Sequence, residues 1–407
     1  MLYLFLFLVP QVLIFLYLWQ RLPDPARPRH ARAVRIGLAV VFGIANLPWI
    51  AVAGRVVAGR FWGIGRIPYI APFVAWQFLG WVFCALIALY VVAKALRGAW
   101  NVVRSARRSR FGSGDPLTTH HSPLTRRTFL ARATYTYFAA GSALSAYGIW
   151  SAQRLPEITR RTLTFPDLPT GLDGLTILHL SDVHAGIHME EEQMRALVAQ
   201  ARGLGAELIV QTGDMIDIAA AYVAPYARAF RDLSAPLGVV TVIGNHDRYT
   251  GEDAVIRGVR DAGQVFVRNG AHVIERGGAT LALLGVDDPR NWRADDPQHD
   301  DVRAALAAAP PEAFKILLAH RPGAFDAAAP LGIPLTLAGH IHGGQLYIPI
   351  LGWSAGSLIT KYVMGHFRQG ASQLYVSRGI GVVGVPIRIF SPPEIALLTL
   401  RRLPPSA

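Results

Sequence analysis

Two different spacings of hydrophobic positions divide the chain. In the first 150 residues the apolar positions run together: Met1–Trp19, Ile36–Gly54 and Ile70–Ala93 hold no charged side chain, and Ala133–Trp150 is a weaker stretch rich in Ser, Thr and Tyr. Each approaches the roughly 20 residues needed to cross a bilayer core. From about Arg160 the pattern becomes short runs of Val, Ile and Leu separated by Ala-rich stretches and Gly/Pro loops, the mark of alternating strands and helices. Buried strands are predicted over 175–182, 207–214, 238–246, 280–286, 314–320, 333–340, 372–377 and 394–400, with helices near 190–203, 220–233 and 252–262. This is an α/β domain that follows transmembrane helices.

Charge sharpens the division. Residues 1–154 carry 18 Lys and Arg against 2 Asp and Glu, a net of +16, whereas residues 155–407 carry a net of −3. A nucleic-acid binder places its excess charge on the folded domain; here it lies between apolar segments, so it reads as membrane topology and no nucleic-acid partner is expected. Arg21, Arg27, Arg29, Arg32 and Arg35 crowd the first loop, and nine Lys or Arg fall in the third, over 94–132, against Arg55, Arg60 and Arg66 in the second. The positive-inside rule then places loops one and three in the cytoplasm and everything after Trp150 outside. The expectation is a multi-pass protein of the cytoplasmic membrane, with a membrane domain over 1–154 and an extracytoplasmic domain over 155–407. The fourth segment either spans or lies along the interface. "TRRTFL" (125–130) either resembles a twin-arginine export signal or is a basic flank. The spans lack Asp, Glu, Lys and Arg, the residues of ion pathways, so anchoring is a simpler role for them than transport. The single cysteine, Cys84, lies in the third segment, which excludes intrachain disulfides and cysteine metal sites.

Polar residues recur where the predicted strands stop. The first ends in Asp182-Val183-His184, the second in Gly213-Asp214-Met215-Ile216-Asp217, and the third in Gly244-Asn245-His246-Asp247. A later strand ends in His320, and the next in Gly339-His340-Ile341-His342-Gly343-Gly344. Ligands of α/β sheets bind outside the carboxyl ends of the strands, so five strands deliver Asp, His or Asn to one rim. Carboxylate, amide and imidazole together suit Mn, Fe or Zn better than calcium. About seven candidate ligands exceed what one tetrahedral ion uses, and a pair of ions sharing a carboxylate is the economical solution.

These five blocks, in this order, resemble the calcineurin-like metallophosphoesterases over about residues 160–402. The "LPTGLDGLTILHLSD" opening, "HGGQ" (342–345) and the "SRGIGVVGVPIRIFSPPEIALLTL" ending are similar to a membrane-associated bacterial branch of exported phosphodiesterases and UDP-2,3-diacylglucosamine pyrophosphatases of lipid A biosynthesis. The resemblance implies a four-layer α/β/β/α domain and two divalent ions. Asp182, His184 and His342 would hold the first ion, Asn245, His320 and His340 the second, and Asp214 would bridge. His246 would remain free as general acid, oriented by Asp247, while a metal-activated hydroxide attacks phosphorus in line. Ile341 departs from the pattern, where a small polar residue is expected. Arg248 and Arg321 adjoin the motifs, with nothing local to show that either reaches the site.

Other polar residues carry structural readings. His179, mid-strand among Ile and Leu, reads as a core or sheet-face histidine, and His188, His272, His299 and His366 as surface or loop residues. The acidic run 287–301 reads as a solvated loop, with Trp292 available to a substrate, and "MEEEQM" (189–194) as an acidic first turn of a helix. Asp217 either supports the metal site or caps the turn that follows, and the first reading is preferred. The chain therefore reads as a membrane-anchored phosphoesterase acting on a phosphodiester, pyrophosphate or phosphomonoester of a small or lipid-linked envelope substrate. Two alternatives are the UDP-2,3-diacylglucosamine pyrophosphatase with its domain in the cytoplasm, and a non-catalytic receptor that binds metal or a phosphorylated ligand. A topology reporter fused after Trp150 separates the first two: the periplasmic form of the reporter is expected to be active, and cytoplasmic activity would reverse the orientation.

Overall fold

The structure, a computed structural model, describes residues 143–403 apart from 292, 294 and 385, together with residues 15–16, 36, 39–40, 100 and 140–141. Contacts divide the chain into Met1–Ser145 and Ala146–Ala407. In the first unit the described residues are helical. The first three apolar segments expected to span lie almost wholly outside the described residues, the fourth is helical at 140–141 and 143–150, and among the described residues no helix is long and apolar enough to cross a membrane.

The second unit contains the strands β1 (Glu157–Phe165), β2 (Thr176–Leu180), β3 (Leu208–Thr212), β4 (Val239–Val242), β5 (Val265–Phe266), β6 (Gly270–Arg276) and β7 (Ala279–Gly285). They are followed by β8 (Phe314–Leu318), β9 (Leu335–Ala338), the short β10 (Tyr347–Ile348) and β11 (Trp353–Ser354), β12 (Gly365–Gln369), β13 (Ser372–Val376) and β14 (Glu394–Arg402). Between them lie α1 (Glu191–Arg202), α2 (Val223–Phe230), α3 (Asn245–Asp261), α4 (His299–Ala307) and α5 (Phe325–Ala328). One six-stranded sheet runs β1-β14-β2-β3-β4-β5 and the other β12-β13-β9-β8-β7-β6.

Alternation along each strand explains the layering, because successive side chains point to opposite faces. Ile177, Leu208, Val210 and Val240 of the first sheet meet Leu281, Leu283, Ile316 and Leu335 of the second in one buried core. The opposite face of the first sheet, with Leu178, Leu180, Ile209 and Val239, buries Leu197 and Val198 of α1, Phe230 of α2 and Val255 of α3. On the far side of the second sheet, Ala282, Leu284 and Leu317 pack against Val302 and Ala305 of α4 and Ala327 of α5. The domain is thus the expected α/β/β/α sandwich. The carboxyl ends of the parallel strands β2, β3 and β4 share one edge, as do those of β7, β8 and β9.

Several expectations need correction. The helix read near 252–262 begins at Asn245, inside the motif, and is kinked at Gly251, whose φ is 119°. Apolar periodicity there starts late because the first turn is built for polar contacts. The run 287–301 is not wholly loop, since α4 starts at His299. His272, read as a surface or loop residue, lies half-buried on β6, whereas His366 is a surface residue as read, on β12. β1, the edge strand EITRRTLTF, buries only Leu163 and Phe165, and so shows little of the pattern that marks a core strand.

The intersheet core predicts a stability effect. Ile316 is fully buried on β8, and Ile316→Ala is expected to destabilise the domain by about 2–5 kcal/mol, read from the shift in its guanidinium unfolding midpoint.

Candidate metal centre

Each ligand-type side chain sits in the first residues after a strand, where the backbone leaves extended geometry. Asp182 and His184 follow β2, Asp214 follows β3, and His340 and His342 follow β9; all five have left-handed backbones, with φ between 50° and 72°. Such conformations are costly for residues with a Cβ and concentrate at functional sites. The bend at His340 and His342 lets two residues that would alternate on a strand serve one edge of the sheet. Gly339 and Gly244 are required by close approach: a Cβ on the first would collide with Ser181 Oγ and the Asp182 carboxylate, and on the second with Asp214 Oδ1.

Two groups result. In the first, His342 Nε2 lies 3.3 Å from Asp182 Oδ1 and 3.1 Å from His184 Nε2, with all three residues buried. In the second, His320 Nε2 lies 3.2 Å from Asp214 Oδ2, 3.1 Å from Asn245 Oδ1 and 3.0 Å from His340 Nδ1. Asp214 Oδ2 is also 3.6 Å from His184 Nε2, so this carboxylate joins the groups. The expected ligands are therefore brought together, Asn245 through its side-chain oxygen.

Electrostatics suit cations. Burial works to raise the Asp214 carboxyl, but His320 and the neighbouring His184 and His246 hold it well below the usual range. Burial likewise opposes the ionised form of Asp182, and His342 outweighs it. His342 is pushed down to about 4 and His340 to about 3, in both cases chiefly by burial, so their lone pairs are free at neutral pH. His320 is the exception, raised to about 10 against its burial by the Asp214 charge. His320 Nδ1 donates to the Thr212 carbonyl at 2.8 Å, which leaves Nε2 as the ligand atom whenever the ring is neutral. Two buried carboxylates, an amide oxygen and imidazole nitrogens converging with few other partners form a donor set that divalent first-row ions fit.

A third group is Asp217 between two histidines. Its Oδ1 lies 3.1 Å from His246 Nδ1 and 3.6 Å from His184 Nδ1, and its main-chain oxygen accepts from His246 Nδ1 at 2.8 Å. Asp217 therefore backs His184 and holds His246. Burial opposes protonation of His246, but Asp217 and Asp214 raise it to about 9. Asp247, expected to orient that imidazole, instead accepts from the main-chain N–H groups of Ile216 at 3.0 Å and Gly244 at 2.9 Å. It caps α3, a task that its position three residues into the motif made equally available. The α3 N-terminus also supplies His246 N–H to Asp214 Oδ1 at 2.8 Å. His179 is a core residue as read, with Nε2 2.8 Å from Thr212 Oγ1.

Neither motif arginine is free. Arg321 is buried and bound to both oxygens of Asp288, at 2.7 and 3.0 Å, and Arg248 reaches Asp287 at 2.5 Å. Arg388 was not singled out from the sequence. It is fully buried, lies 3.0 Å from His342 Nδ1, and donates to the carbonyls of Arg378, Gly379, Gly381 and Ser391. An arginine inside the run "GVPIRIFSPPE" was the available signal. Asp288 had none within its acidic stretch. Trp292 lies outside the described residues.

Two cavities flank the centre. One of about 280 Å³ is lined by His246, His342, Ile341, Gly356, Ile359 and Val383. Another of about 640 Å³ is lined by Asn245, Arg248, Tyr249, Arg290, Asn291 and Arg321. The metal groups thus stand between a cavity edged by aliphatic side chains and one edged by arginines.

The calcineurin-like phosphoesterase family matches residues 175–344, a span that contains every one of the grouped ligand-type side chains. An uncharacterized metallophosphoesterase, YkuE, of Bacillus subtilis is 31% identical over 68% of this chain and 98% of its own length. A transmembrane protein with metallophosphoesterase domain from Danio rerio is 29% identical over 67% of this chain and 63% of its own. One of the same name from Bos taurus is 25% identical over 96% of this chain and 86% of its own.

The joining position of Asp214 gives the sharpest test of the centre. Asp214→Asn is expected to reduce metal content in both groups, measured by elemental analysis of protein purified in Mn or Zn; full occupancy of two ions in this variant would remove Asp214 from the shared position.

Proposed function

The chain belongs to the calcineurin-like phosphoesterase family and is a metal-dependent phosphoester hydrolase; from that premise we propose that it is a membrane-anchored enzyme with two divalent ions, opening a phosphodiester or pyrophosphate of a lipid-linked or envelope substrate. One observation carries the reading: two ligand groups joined by Asp214 lie beside His246, a histidine whose ring belongs to neither group and borders the smaller cavity.

Asp182, His184 and His342 would hold one ion, His320, His340 and Asn245 the other, and Asp214 both. When bound, the ions supply Lewis-acid activation of water and of the phosphoryl oxygens. Residues of the chain do the rest. Because Nδ1 of His246 donates to the Asp217 carbonyl, the second ring proton of the charged imidazole sits on Nε2. From there it is positioned for transfer to the leaving oxygen. Asp217 keeps that ring charged, and the Arg388 guanidinium stands behind the ring of His342, 3.0 Å from its Nδ1. A pure binding protein needs no proton donor at this position, which favours catalysis over a receptor role.

Membrane anchoring rests on the charge-free apolar segments before residue 94 and on the relatives named as transmembrane proteins, one of which aligns with almost the whole chain.

The test separates proton donation from metal binding. His246→Ala is expected to keep its metal while slowing hydrolysis of an alkyl phosphodiester about a hundredfold or more, with a smaller loss on a nitrophenyl ester whose leaving group needs no proton. Metal loss would make His246 a ligand instead. Asp217 raises the His246 pKa, so the protonated acid persists to higher pH while that charge is present. Asp217→Asn should therefore move the alkaline limb of the kcat/KM profile to lower pH, and an unmoved limb would sever Asp217 from the acid.

A further inference from the structure

Four large aliphatic side chains stand in solvent within one ten-residue stretch. Ile350 is 95% exposed, Leu351 71%, Leu358 77% and Ile359 56%, although isolated exposed apolar residues are the norm on soluble surfaces. They belong to two short helical turns, Pro349–Leu351 and Ala355–Leu358, on either side of β11. The stretch is clamped to the turn that carries His342. Ser354 Oγ donates to the Gly343 carbonyl at 2.7 Å, and a Cβ on Gly344 would collide with Ser354 Oγ and the Gly356 main-chain nitrogen. Ile359 also lines the smaller cavity beside His246, so the apolar rim begins at the wall of the metal centre.

The way the chain enters the domain says what covers this rim. Residues 146–153 are helical, and Gly148 packs so tightly on Ile387 and Ile389 that a Cβ would lie 2.6 Å from the former. Ile389 in turn donates to Gln345 and accepts from Tyr347, at 2.8 and 2.9 Å, and Leu346 accepts from Ala355 at 3.0 Å. An unbroken set of contacts therefore links the entering helix to the exposed stretch. Aromatic residues mark the junction: Tyr147 lies 5.4 Å from the Phe390 ring and 6.0 Å from that of Trp150. Trp150 is 57% exposed, and Phe390 is 47% exposed from a left-handed backbone with φ 51°. Tyr and Trp gather where a protein meets the headgroup layer. The sequence before this helix consists of apolar stretches of bilayer-crossing length and basic loops.

We propose that Ile350, Leu351, Leu358 and Ile359 form a docking surface for a lipid bilayer, entering its acyl region beside Tyr147, Trp150 and Phe390. The opening next to Ile359 then lies at headgroup depth and receives its phosphoester from a membrane lipid rather than from solution. The second statement rests on the phosphoesterase reading; the docking does not.

The test uses the full-length chain in phosphatidylcholine–phosphatidylglycerol vesicles, with Cys84→Ser removing the native thiol. A nitrobenzoxadiazole probe is attached to Ile350→Cys or Leu358→Cys, and for comparison to Leu331→Cys, which precedes β9 at the opposite end of that strand. At 350 and 358 a nitroxide on the lipid acyl chain should remove most of the emission while aqueous iodide has little effect; at 331 the reverse is expected. Iodide quenching at 350 and 358 without lipid quenching would overturn the proposal. Protection from both quenchers would overturn it as well, because protein and not lipid would then cover the surface. Hydrolysis of bis-p-nitrophenyl phosphate by the same preparations reports separately on the phosphoesterase reading, whose failure would leave the quenching pattern unchanged.

Discussion

The buried Asp214 carboxylate is the interaction on which the centre depends. It stands at the end of β3, accepts the His246 N–H in the first turn of α3, faces His320, and approaches His184. Room for it exists only because residue 244 has no side chain. A carboxylate at this depth carries a large desolvation cost unless positive charge surrounds it. Histidines, a helix N-terminus and, when present, cations all answer that need. The left-handed conformations of Asp182, His184, His340 and His342 serve the same convergence, since a straight continuation of each strand would point these groups apart.

What was legible in the sequence was whatever is local. Strands announce themselves by apolar runs, and the residue after the run must lie at the sheet edge, so all seven candidate ligands could be named before any geometry was known. The orienting role was misassigned because Asp217 and Asp247 both lie within a few residues of a motif. Only the fold decides that one carboxylate turns toward His246 and the other back to cap its own helix. Arg388 and Asp288 are long-range cases. One reaches His342 from a loop far along the chain, and the other neutralises Arg321 from within a run of acids that looked uniformly solvated. The edge strand β1 was missed because half its faces meet water and its pattern is correspondingly polar.

The two cavities give the centre an uneven environment. Toward Arg248 and Arg290 the lining carries guanidinium and amide groups, whereas toward Ile341, Ile359 and Val383 it carries aliphatic side chains.

The place of β14 has a consequence for how the domain comes to exist. This last strand is not at an edge but second in its sheet, between β1 and β2, with Ala396 opposite His179 two residues before the Ser181–Asp182 turn. Until residues 394–402 have left the ribosome, β2 lacks one of its two neighbours and β1 has none. The ligand-bearing strands are thus made early and completed late, and pairing across so long a separation is slow. A nascent chain will dwell with exposed strand edges, a state in which chaperone capture competes with folding. The edge of the sheet that carries Asp182 and His184 is therefore complete only once β14 has paired with β2.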